Sequence, residues 1–243
     1  MLLKRMILIF VSFVALTVLF SATVTAQESA QNEDWRFAAE LYLWYASMGG
    51  TATPGSDVDI GADDLIDALD MGFMGTLGVR KGKWSFMADV IYLDVGDDTD
   101  VAPGVNLDVE LKGWIVTPIV GYNVLDTDKA IIDVVAGARY FSLSSDVTIT
   151  GIPKISDSGN VWDGIVGVRG EVNLTENWYI PFYGDIGTGE SDLTWQLFAG
   201  VGYKFEKFDV IVAYRYLDWE FDDSPVFADL NINGPLAGIK IRF

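Results

Sequence analysis

From Trp35 the chain alternates. Trp35, Phe37, Ala39, Leu41, Leu43 and Tyr45 fall on one parity, and Arg36, Ala38, Glu40, Tyr42 and Trp44 on the other. A period of two sends successive side chains to opposite faces of a strand. The same alternation recurs over 71–80, 84–93, 106–122, 131–150, 162–173, 178–187, 193–205, 208–216 and 231–243. In most of these segments one face is aromatic and aliphatic, while the other mixes glycine with isolated charges. The pattern predicts ten antiparallel strands, or eight if two segments form an external hairpin.

The connections alternate in length. Lys81-Gly82-Lys83, 125–129, 175–177 and 206–207 are short turns, whereas 47–70, 96–104, 151–159 and 218–229 are longer polar loops and 189–192 is a shorter loop at the same end. Residues 62–69 have the composition for one or two helical turns inside the first loop. The phase of 106–122 is not fixed by pattern, because Asp108, Glu110 and Lys112 share a parity with Trp114, Val116 and Tyr122. A bulge near Gly113, or a rim standing clear of the apolar belt, accounts for this. Inward glycines at 72, 78, 137, 167, 200 and 202 suggest either interior space or relief of crowding where strands curve.

Composition changes the picture at the N-terminus. Lys4 and Arg5 precede an apolar run over 6–20, and small residues follow as far as Ala26. This is the layout of a secretory signal peptide cleaved after Ala26. Residues 27–34 are then a short periplasmic lead-in, and 35–243 form the barrel. Half the chain is hydrophobic and 13% is aromatic, yet no later apolar run has the length of a spanning helix. Strands that alternate in an exported, apolar-rich chain point to an all-β, antiparallel, up-and-down transmembrane β-barrel.

The last residues carry the family resemblance. Ile239, Ile241 and Phe243 form one face of the final strand, with Lys240 and Arg242 on the other. Together with four or five hairpins, this ending resembles the small outer-membrane barrels typified by the transmembrane domains of OmpA and OmpW. The resemblance implies an outer-membrane location in a Gram-negative bacterium. It implies lipid and lipopolysaccharide as surroundings, and recognition of Ile239, Ile241 and Phe243 by the barrel-assembly machinery.

Candidate chemistry lies in the lumen. Arg36, Glu40, Asp89, Asp133, Arg139, Arg169, Glu171, Asp185, Asp209, Arg215 and Lys240 all take the inward parity and are expected to form a charge network. Buried carboxylates need such partners. The sequence has no His and no Cys. The barrel enzymes of this superfamily rely on His, so their mechanisms are closed to this chain, and thiol chemistry and disulfides are excluded outright. A carboxylate dyad among Asp89, Asp133 and Asp185 is the remaining enzymatic alternative.

The formal net charge of −19 argues against nucleic acid as a partner. The loop acids match no calcium-loop spacing, and a non-specific use of divalent cations is the most they suggest. No cofactor is implied. The expected role is a non-enzymatic scaffold or a narrow porin-like channel, with a plugged surface-interaction or adhesion protein as the alternative.

Overall fold

The computed structural model describes residues 34–243 apart from 53–54, 103–104, 150–153 and 223–226, so the expected cleavage at Ala26 lies outside the described residues. Twelve strands and one short helix follow in order. These are β1 (Arg36–Trp44), β2 (Ser47–Ala52), β3 (Ser56–Ile60), α1 (Ala62–Asp67), β4 (Leu69–Lys81), β5 (Trp84–Ala102) and β6 (Val105–Asp126). Then come β7 (Ala130–Ile149), β8 (Ile155–Asn173), β9 (Trp178–Gly189), β10 (Leu193–Lys204), β11 (Asp209–Glu220) and β12 (Phe227–Arg242).

Ten of the strands close a ring. β1 pairs with β4 on one side and with β12 on the other, and β4 through β12 are joined in chain order, all antiparallel. Closure removes every edge strand from the ring, which is what a barrel in lipid requires. β12 pairs with β11 along one edge and serves two partners along the other. Its lower half pairs with β1, from Ala38–Arg242 to Trp44–Leu236, and its upper half pairs with β2. The chain steps from one to the other at Tyr45–Ala46. There a Cβ on Gly234 would come within 2.0 Å of the Tyr45 carbonyl oxygen, so the approach needs glycine.

The stretch 47–70 is therefore not a plain loop. β2 and β3 form a hairpin beside the ring, and α1 follows it. The other long connections are also shorter as loops than the sequence suggests, because the strands run on. β5 through β8 span 19, 22, 20 and 19 residues, whereas β9, β10 and β11 span 12 each. The ladder passes Gly113 without a shift, and the irregularity in β6 falls at Asn123–Leu125. Lys112 instead pairs with Glu110 on the outside, beyond the Trp114 ring, as a rim clear of the belt.

The outer face is a belt. Trp84 and Tyr92, Tyr122 and Trp114, Tyr203 and Trp195, and Phe208 and Tyr216 each stand eight positions apart on their strands. Across strands their rings meet edge-on in Trp84–Tyr122, tilted in Tyr92–Trp114 and stacked in Trp195–Tyr216. Eight residues cover roughly 26 Å along a strand; with tilt, this suits an apolar band about 25 Å tall bounded by aromatic girdles. Between the two rings Leu77, Val166, Leu197 and Val212 are exposed, as lipid-facing residues must be. The short turns gather at one end of the barrel. Gly82 makes the first of them with φ of 55°, in the left-handed region that glycine enters freely.

Candidate functional site: the lumen

The inward face has two storeys. The upper storey, toward the long hairpins, is solid. Most strands of the ring send an apolar residue into it, among them Trp44, Met74, Ile91, Ile115, Phe141 and Leu230. Trp219, Leu217, Thr194 and Arg139 are wholly buried there, at 0% exposure. Residues on the wall of a continuous water path would keep exposed surface; these do not.

Two buried ion pairs lock this storey. The Arg139 Nη2 donates to Asp185 Oδ2 at 2.5 Å, and Nη1 donates to Thr194 Oγ1 at 2.8 Å, with the guanidinium 5.9 Å from the Trp219 ring. Asp163, opposite Arg139 on β8, accepts the Ser191 amide at 2.9 Å. Lower down, Arg215 donates from Nη2 to Asp89 at 2.7 Å and from Nη1 to the Tyr42 hydroxyl at 2.8 Å. That hydroxyl donates in turn to Asp89 at 2.8 Å, and Thr76 donates to the same carboxylate at 2.7 Å. The Arg215 guanidinium also lies 5.3 Å from the Trp44 ring. All of these groups are buried, so each charge depends on its partner.

The lower storey is open. A cavity of about 460 Å³ begins beneath Arg215 and Gln196 and reaches the short-turn rim at Arg36, Arg242 and Phe243. On its walls Asp133 accepts from Arg80, from Arg169 Nε at 3.1 Å and from Asn123 at 2.9 Å. Lys240 pairs with Glu40 at 3.0 Å. Arg242 pairs with Asp209 at 2.5 Å, and the Tyr179 hydroxyl donates to Asp209 at 2.8 Å. Lys204 donates to Glu171 at 3.0 Å.

Thus the inward residues expected from parity fall into separate groups rather than one network. Asp89 meets Arg215, Asp185 meets Arg139, Asp133 meets Arg169, and Glu40 meets Lys240. Asp209 and Glu171 draw on Arg242 and Lys204. Arg36 makes no ion pair among the described residues. Arg80, Lys204, Tyr42 and Tyr179 were missed as partners, although their inward parity was readable. Of the six inward glycines expected to mark space or crowding, Gly78 borders the cavity, while a Cβ on Gly137, Gly167 or Gly200 would strike neighbouring atoms at 2.1, 2.2 and 2.4 Å. Crowding explains those three, whereas Gly72 and Gly78 have room for a Cβ.

Among the described residues no group of three or more carboxylates is gathered for a metal ion. The loop acids Asp97, Asp98, Asp100 and Asp223 lie outside the residues whose side chains are described.

No protein-family model and no curated protein matches the sequence. Solved structures do. The chain is similar to the outer membrane protease OmpT from Escherichia coli, with 10% identity, a TM-score of 0.49, and coverage of 90% of this chain and 100% of that one. It is similar to the translocator domain of the autotransporter NalP from Neisseria meningitidis, at 13% identity and a TM-score of 0.46, covering 94% and 92%. It is also similar to Ail, the attachment invasion locus protein of Yersinia pestis, at 12% identity and a TM-score of 0.43, covering 87% and 99%. The barrel architecture itself rests on the closed ring of ten antiparallel strands.

Proposed function

We propose that this outer-membrane barrel is a non-conducting, non-enzymatic scaffold that works through its long hairpins. The observation that supports this most is the solid upper storey, in which Trp219, Leu217, Thr194 and Arg139 are cut off from solvent altogether. An interior near eight strands is filled by side chains, and ten strands widen it only modestly. Here the additional room appears as the lower cavity and does not continue upward.

The hairpins favour a surface role over passage. β5 to β8 rise well past the upper aromatic ring, and β2–β3–α1 adds an acidic flank through Asp57, Asp59, Asp63 and Asp64. Tyr45 ties that flank down by donating to Asp63 at 2.5 Å. Outer-membrane lipid is the partner of the belt. As for catalysis, Asp89, Asp133 and Asp185 are each held by a different guanidinium, Arg215, Arg169 and Arg139, rather than paired with one another as a dyad requires.

Proteoliposomes loaded with small sugars test the proposal. The wild-type protein is expected to release them no faster than empty liposomes. Release at the pace of a general porin would overturn the closed-barrel reading.

A further inference from the structure

The lower cavity has a chemistry that a closed scaffold does not use. Six cations border it, Arg36, Arg80, Arg169, Arg215, Lys240 and Arg242, against four carboxylates, Glu40, Asp89, Asp133 and Glu171. In a chain of formal net charge −19, a positive excess runs against composition. It is also localised. Arg215 is matched by Asp89, Lys240 by Glu40, and Arg242 by Asp209 and Glu171. Arg36, Arg80 and Arg169 are left with the single carboxylate of Asp133, which Arg80 and Arg169 already share.

Arg36 and Arg80 are also directly opposite each other across the β1–β4 ladder, both on the inward parity. Like charges so placed are destabilising in a sheet. An anion between them relieves that repulsion, and low-dielectric walls strengthen its attraction.

We propose that this vestibule is a binding site for a small, doubly charged oxyanion with the chemistry of a phosphate group, entering from the short-turn end and held by Arg36, Arg80 and Arg169. Guanidinium forks suit this class because they donate two parallel hydrogen bonds to adjacent oxygens. The site is independent of whether the storey above conducts.

Calorimetric titration of the protein refolded in zwitterionic detergent tests it, with inorganic phosphate and glycerol 3-phosphate as separate probes. Saturable binding that weakens as sodium chloride is added is expected for at least one probe. Arg36→Gln, at the exposed mouth, should weaken it by about tenfold while leaving the melting of the barrel unchanged. Tighter binding of glycerol 3-phosphate identifies a phosphate ester as the ligand; equal or weaker binding identifies the free ion. Absence of saturable heat with both probes, or unchanged affinity in Arg36→Gln and Arg80→Gln alike, would overturn the proposal.

Discussion

Arg139 and Asp185 meet at 2.5 Å in the middle of the barrel, on strands β7 and β9, with neither side chain exposed to solvent. A buried pair of this kind is costly to assemble and more costly to break. Arg139→Ala should destabilise the barrel by about 3–5 kcal/mol, because it leaves the Asp185 charge without its partner. Replacing both residues with aliphatic ones of similar volume should cost far less than either single change. Urea titration of the refolded protein, followed by the gel shift of the folded band, measures both.

Tyr42 links Arg215 to Asp89 by accepting from one and donating to the other. Tyr42→Phe keeps the ring beside Arg215 and removes only the hydroxyl. Two hydrogen bonds at about 1 kcal/mol each are lost, so the same titration should show a drop of roughly 2 kcal/mol. No measurable change would mean that the hydroxyl is not a working part of the cluster.

The Tyr179 ring lies across Gly202, its neighbour on β10, and a Cβ on that glycine would meet ring carbons at 2.3 Å. The ring is fully buried and its hydroxyl is held by Asp209, so it has little freedom to move aside. Gly202→Ala should cost about 1–3 kcal/mol through overpacking. The companion change Gly159→Ala, where a Cβ meets nothing within 4 Å, is the control and should be silent.

Val212 stands midway between Phe208 and Tyr216 on the outer face and is 58% exposed. If the belt faces lipid, Val212→Arg should cost about 2–4 kcal/mol in bilayers, whereas a surface substitution on a water-soluble sandwich would be nearly neutral. Refolding yield into vesicles of defined lipid, compared across Arg substitutions along β11, reads out this depth dependence.

These predictions draw on features of unequal legibility. The strand phases could be read because lipid and lumen impose opposite demands on alternate residues, so Phe208, Val210 and Val212 separate from Asp209 and Ile211 without reference to tertiary structure. Hairpin height could not be read. Above the belt the outward face turns polar, so the contrast with lipid is lost, and Asp218-Trp-Glu220 reads as a loop although it continues β11. Trp219 illustrates the consequence, since an aromatic in an acidic stretch reads equally as rim or interior, and it is the largest fully buried side chain of the plug.

Partnership was least accessible of all. Parity puts Arg215 and Asp89 inside, but 126 positions separate them in sequence, and only ring closure decides which cations face which acids across the lumen. Arg80 was overlooked for a local reason. It sits next to the Lys81-Gly82-Lys83 turn and reads as part of a basic rim, whereas its side chain reaches Asp133 inside.

The central claim is that the upper storey closes the lumen, and planar-bilayer recording tests it most directly. Wild-type protein should show no reproducible open steps at high salt, while Trp219→Ala, which removes the largest fully buried side chain of the plug, should introduce small ones. Steady unitary conductance from the wild-type protein, of the same size as that of Trp219→Ala, would contradict the account.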